Sequence, residues 1–347
     1  MKLDISTAPP TGETPESVVP RTSYLALAAL AASIAGLLYY KWGGAGRTID
    51  AVKLSGHWDK PIAGLISATV VNSTTFYFSR IWIALVYGLL VGAAVQVLAP
   101  TFAVRFRRRS ALGGQLMGAA MGAPLMLCSC CITPVFASMR AAAGARSAVA
   151  LLLSSPGLNP AAIALTFLLF PLDVAAVRLA AALLLVIVVP VAMRWVVRPE
   201  TAQGAVVEMA AEPRAQARSF LADYVRSLGM LARRTVPAIV VGATVSAWLF
   251  PRLSGLNASH HWAVLAIIAA VAVLLTLPTF FELPLALLAV AAGFPGAGAV
   301  ILIAGPIVNL PSLISVAREV GTRASIVLAA SVWSAAFAAG LLVMLRA

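Results

Sequence analysis

Charge is scarce in this chain. Only 11% of its 347 residues are Asp, Glu, Lys or Arg, while 61% are hydrophobic; soluble globular domains carry about 25% charged residues. Such a chain cannot cover its apolar surface with its own polar groups. That excludes a soluble globular fold and leaves the bilayer as the solvent. Acids are scarcest, at 12 against 25 Lys and Arg. The resulting charge of +13 does not point to nucleic acid, because the basic residues flank apolar runs. Arg105, Arg107, Arg108 and Arg109 follow one run, and Arg194 and Arg198 follow another, as in cytoplasmic loops. A phosphate-binding surface would need a folded polar domain, and none is visible. The three cysteines all fall within 128–131, which excludes a disulfide framework. With no histidine or second cysteine group nearby, a closed zinc site is excluded too. CxxC, haem and flavin signatures are missing, and no cofactor is called for.

Long apolar runs are abundant. They lie at about 24–40, 81–99, 111–143, 147–170, 172–196, 236–250, 262–292, 297–317 and 324–345, and a helix needs roughly 20 residues to cross a bilayer. The fold class is therefore all-α, a polytopic membrane bundle of about eight to ten helices. The runs at 111–143 and 262–292 are too long for one span and contain prolines, so each should be broken or re-entrant. Residues 1–22 are polar and Pro/Thr-rich and read as disordered. Residues 23–59 hold an extra N-terminal membrane helix and loop. Two amphipathic stretches, 62–77 and 218–234, have helical apolar spacing and are expected to lie in the interface.

Shifting the chain by 150 residues superposes several special positions without a gap. Gly92 meets Gly242, Pro134 meets Pro284, Pro156 meets Pro306, and Asn159 meets Asn309. Both halves thus carry Pro-x-x-Asn after an earlier proline. The expected organisation is a repeat at 60–197, a polar linker at 198–217 and a second repeat at 218–347. Repeats of this size are a common build for secondary transporters. The loop 105–109 holds four arginines and its equivalent at 255–259 holds none, which favours an inverted pair.

Each half has two broken points, at 128–134 and 154–160, then at 278–284 and 305–312. Proline removes a backbone donor and clashes with the preceding turn. In lipid such breaks persist where they pack on protein or line a polar cavity. The breaks nominate Pro134, Ser155, Pro156, Asn159, Pro284, Pro306 and Asn309 as substrate-contacting residues, with helix capping as the plainer role of the two asparagines. Cys128, Cys130 and Cys131 are soft donors for soft metals or trivalent metalloids, with Cys128 and Cys130 the transient metal ligands. Buried cysteine can equally be a small hydrophobe. Met117, Met121, Met126 and Met139 surround them as packing or as thioethers of a soft-ion path. Glu282 is the sole carboxylate between Asp223 and Glu319. An acid inside a membrane segment is a functional candidate by default, here for substrate binding and proton coupling. Arg178 is expected to pair with Asp173 or sit at the interface, and His260 and His261 belong to a polar loop.

The run Cys-Ser-Cys-Cys-Ile-Thr-Pro at 128–134, Gly144, and Leu-Leu-Ser-Ser-Pro-Gly-Leu-Asn-Pro at 152–160 resemble the predicted permease family that includes the ArsP-like organoarsenical efflux permeases and the YraQ-like permeases. A second copy runs through Glu282-Leu-Pro284, Gly293 and Gly305-Pro306-Ile-Val-Asn309. The resemblance covers roughly residues 60–345. It implies export of trivalent organoarsenicals or soft metal ions, with Cys128, Cys130 and Cys131 as contacts. The expectation is a multi-pass permease of a bacterial inner membrane, not an enzyme, working by alternating access on a small-molecule or metalloid substrate within the lipid bilayer. A permease for another small solute and a membrane-embedded thiol redox protein are the alternatives. Oligomeric state is not legible in the sequence.

Overall fold

A computed structural model of the chain describes residues 21–55, 69–107, 110–196, 220–253, 262–277, 280–291 and 293–346. Among them lie twelve α-helices. The first six are α1 (Arg21–Ser55), α2 (Val70–Arg107), α3 (Ala111–Gly122), α4 (Thr133–Gly157), α5 (Pro160–Leu169) and α6 (Leu172–Val196). The second six are α7 (Phe220–Leu253), α8 (Trp262–Leu274), α9 (Glu282–Ala291), α10 (Pro295–Ile307), α11 (Leu310–Glu319) and α12 (Thr322–Arg346). Six helical stretches are long and apolar enough to cross a membrane, or seven if the pair α10–α11, bent by 44°, is one span. The protein is a multi-pass membrane bundle, and among the described residues several apolar runs form short helices, as the runs at 111–143 and 262–292 were expected to do. The expected disordered segment 1–22 falls mostly on residues 1–20, and the expected linker on 198–217. Both lie outside the described residues.

The helix boundaries follow local chemistry. Ser110 caps α3 by accepting from the Gly113 amide at 3.1 Å. Asn159 caps α5, accepting from the amides of Ala161 and Ala162 at 3.1 and 3.2 Å, with Pro160 in the first turn, where a missing N–H costs nothing. Asn309 and Ser312 form a reciprocal capping box at the start of α11. These caps occupy amides that lipid could not satisfy. Gly144, with φ 83° and ψ 168°, splits α4 into two arms, a conformation that glycine adopts without steric cost.

Two pairs of helix starts fall at the offset of 150: Pro160 and Leu310 open α5 and α11, and Leu172 and Thr322 open α6 and α12.

Packing relies on close backbone approach. A Cβ on Gly88 of α2 would lie 2.3 Å from the Cys131 carbonyl oxygen. One on Gly118 of α3 would lie 2.2 Å from the Ser147 carbonyl oxygen of α4. Small residues allow such contact between membrane helices, where dispersion replaces the hydrophobic drive.

Neither amphipathic stretch forms a separate interfacial helix among the described residues. Residues 220–234 are the first part of the continuous helix α7. Part of their apolar face packs on protein: Leu231 is buried in the main core, Leu228 and Ala232 pack against it, and Tyr224 donates to the Leu90 carbonyl of α2 at 3.0 Å, while Leu221 and Val225 stay exposed. Residues 70–77 likewise open α2, with Tyr77 buried, while 62–68 lie outside the described residues.

Candidate functional site

The thiol segment fills the gap between α3 and α4. A 3₁₀ turn at Ala123–Leu125 ends on Met126 in the left-handed region, φ 51°, and the chain then runs non-helically to the start of α4 at Thr133. Ser155 of α4 pins this loop from below. Its hydroxyl accepts from the Leu127 amide at 3.1 Å and lies 3.2 Å from the Leu127 carbonyl. Thr133 donates to the Cys130 carbonyl at 2.7 Å. These bonds satisfy backbone groups freed by the break, which lipid cannot do.

The loop gathers its three sulfurs. Sγ of Cys128 lies 3.0 Å from Sγ of Cys130 and 3.0 Å from Sγ of Cys131, with 3.8 Å between the last two. All three are buried and free of disulfides. The Tyr77 hydroxyl of α2 reaches Cys130 Sγ at 3.0 Å. Three soft donors within 4.8 Å of one another could hold a thiophilic ion or metalloid.

Beside Cys128 lies a small cavity of about 10 Å³, room for roughly one water. Cys128, Pro156 and Asn159 line it from the first half, and Glu282, Gly305 and Pro306 line it from the second. Five of the residues singled out in the sequence therefore meet at one point, drawn from breaks more than a hundred residues apart in the chain. The other six do not line it. Cys130 and Cys131 stand behind Cys128, and Ser155 holds the loop. Pro134 packs on Gly92 of α2, Pro284 is buried within α9, and Asn309 caps α11. Met126 and Met139 are buried packing residues, while Met121 is 39% exposed; no methionine lines the cavity.

Glu282 opens α9 and is 3% exposed. Its Oε1 lies 3.5 Å from Nη2 of Arg178 on α6. Arg178 is equally buried, and its Nη1 donates to the Thr166 hydroxyl of α5, which in turn donates to the Ala162 carbonyl at 2.7 Å. Nη2 of Arg178 makes no hydrogen bond and meets Glu282 as an ion pair alone. This corrects the sequence reading of Arg178. It neither pairs with Asp173 nor sits at the interface, because α6 turns it inward to the carboxylate of the other half. A charge in the Ala-rich stretch Val174–Ala182 was the available signal. Tyr77 was missed as well; a tyrosine among polar residues at the start of α2 carries no sign of a sulfur partner. His260 and His261 lie outside the described residues.

Comparison with known proteins bears on this geometry. The model of a family described as predicted permease, ArsP_1, matches residues 68–345. The chain is 31% identical over 304 residues to the UPF0718 protein YraQ of Escherichia coli (strain K12), covering 84% of this chain and 86% of that protein. No solved structure matches the chain.

Proposed function

We propose, from the premise that this chain belongs to the ArsP_1 family of predicted permeases, that it exports a small soft metal or metalloid species, such as a trivalent organoarsenical, by alternating access. Membership supports a membrane permease, and transport rather than catalysis is the reading taken from it. One observation carries the finer reading: a cluster of three buried thiols reaches, through Cys128, a cavity lined by residues at the breaks of both halves, among them the buried carboxylate of Glu282. The recurrence of helix starts at one offset supports a duplicated architecture with repeats at 60–197 and 218–347. In inverted pairs, rocking one repeat against the other exposes a central site to each side in turn.

The thiol chemistry needs no electron transfer. A trivalent organoarsenical carrying two hydroxyls exchanges each As–O bond for an As–S bond with a cysteine. Each thiol proton leaves with the displaced hydroxide as water. The exchange is reversible, so cargo can be released on the far side. Glu282, in ion-pair contact with Arg178, is the proton-coupling residue, and a bacterial inner membrane is the setting in which such export would act.

Uptake into everted membrane vesicles tests this across trivalent organoarsenicals, soft metal ions and small sulfur compounds, with and without a pH gradient. The expected result is accumulation of a trivalent organoarsenical or a soft ion, driven by the gradient and lost in the Cys128→Ser/Cys130→Ser/Cys131→Ser variant. Unchanged transport by that variant removes the thiol role. Wild-type flux indifferent to the gradient removes the proton role of Glu282.

A further inference from the structure

A second cavity lies between the two halves, and its polar side chains are hydroxyls rather than thiols. Ser73 and Tyr77 of α2 line it from the first half. Ala243 and Ser246 of α7, with Thr276 and Leu277 just past the end of α8, line it from the second. Its volume is about 10 Å³, room for roughly one water-sized guest. Leu277 also lines the cavity beside Cys128, and the Tyr77 hydroxyl reaches Cys130, so the two sites adjoin. Two of the hydroxyls are unmet. Ser73 Oγ and Thr276 Oγ1, on residues 2% and 1% exposed, have no hydrogen-bond partner among the described residues, and a buried polar group left unpaired is costly. Ser246 offers a third oxygen. It donates to the Gly242 carbonyl at 2.8 Å and accepts from the Thr276 amide at 2.6 Å, which leaves one of its two lone pairs. That contact also marks where α8 stops. The Leu275 amide still bonds back to the Val271 carbonyl at 3.0 Å, whereas the Thr276 amide turns to Ser246. The last carbonyls of a helix carry negative partial charge, and among the described residues no charged side chain lines the cavity to answer it.

We propose that this cavity binds one dehydrated sodium ion, held by the hydroxyl oxygens of Ser73, Ser246 and Thr276 at the carbonyl end of α8. Oxygen donors suit hard cations, and a wall without carboxylates suits a single positive charge rather than a divalent one. Half-helix ends and unwound backbone serve sodium in the same way in other transporters built on broken helices. Aliphatic hydroxyls do not exchange protons near neutral pH, so this is not a second proton site. Because its ligands come from both halves, the ion braces them in the conformation seen, and rocking them apart would release it. Sodium binding stands on this cavity alone and does not rest on the cysteines holding cargo.

The test is binding of radioactive sodium to the purified full chain in detergent, joined to thermal unfolding in sodium, potassium or choline chloride at equal ionic strength. Wild type is compared with Ser73→Ala, Thr276→Val and the double variant. Each substitution nearly keeps the side-chain shape and removes an unpaired hydroxyl, so in choline chloride the variants should unfold no earlier than wild type. Wild type should bind one sodium saturably and unfold a few degrees later in sodium than in choline. Each single variant should bind sodium at least about tenfold more weakly, on the order of one lost contact to a charged group. The double variant should show neither binding nor a shift. Absence of saturable binding by wild type overturns the proposal and assigns the cavity to a water molecule. Equal stabilisation by potassium is an effect of ionic strength and overturns it as well, as does undiminished sodium binding by the double variant. Should the double variant not stay monodisperse, the two single variants decide by the same criterion.

Discussion

Arg178 and Glu282 bind the two halves at the scale of single residues. A buried ion pair adds little net stability over an apolar replacement, but removing one partner strands the other charge and costs about 3–5 kcal/mol. Arg178→Met should therefore lower unfolding stability by about that amount. The double variant Arg178→Met/Glu282→Gln should recover most of the loss. Denaturant unfolding of the purified protein checks both. A double variant no better than the single one would mean that Arg178 stabilises through the Thr166 contact rather than through Glu282. Much of the site was legible residue by residue. Glu282 stood alone in an apolar stretch, and three cysteines in four positions invited a ligand reading. Arg178 was not legible, because Asp173 is its near neighbour in sequence while its partner belongs to the other half.

At the scale of helices, the breaks were legible and the continuities were not. Proline removes a backbone donor and weakens a helix, and the gaps at 126–132, 158–159 and 308–309 fall within or beside the segments read as broken. Pro306 nevertheless lies inside α10, and Pro156 likewise precedes its break. It lies inside α4, and the break comes at Leu158–Asn159, where Asn159 takes over as cap. Length was harder to read. The short apolar run at 236–250 became part of the 34-residue helix α7, continuous with the amphipathic stretch before it. The thiol loop owes its place to α2, whose Gly88 lets the Cys131 backbone come close. Gly88→Ala would force a methyl to 2.3 Å from a carbonyl oxygen and should destabilise by about 1–3 kcal/mol. Gly44→Ala meets nothing within 4 Å and should be neutral or stabilising by about 0.5–1 kcal/mol. The same unfolding assay separates them, and equal effects would argue against tight α2–loop packing.

At the scale of the whole molecule, several polar contacts join the halves. Among them are the central pair Arg178–Glu282, Tyr224 of α7 on the Leu90 carbonyl of α2, and Glu319 at the end of α11, which meets Arg140 of α4 at 3.4 Å and also Arg234 of its own half at 3.1 Å. Composition alone showed that lipid is the solvent, and two pairs of helix starts fall at the 150-residue offset read from the sequence. How the breaks of the two halves face one another depends on helix packing across the bundle, which no local pattern encodes.

X-ray absorption at the arsenic edge, on the purified protein loaded with a trivalent phenylarsenical, tests the central claim most directly. If the thiols beside the shared cavity bind the cargo, the wild type shows arsenic bonded to sulfur, and the triple Cys→Ser variant shows none. Arsenic surrounded by oxygen or nitrogen alone in the wild type would contradict the account.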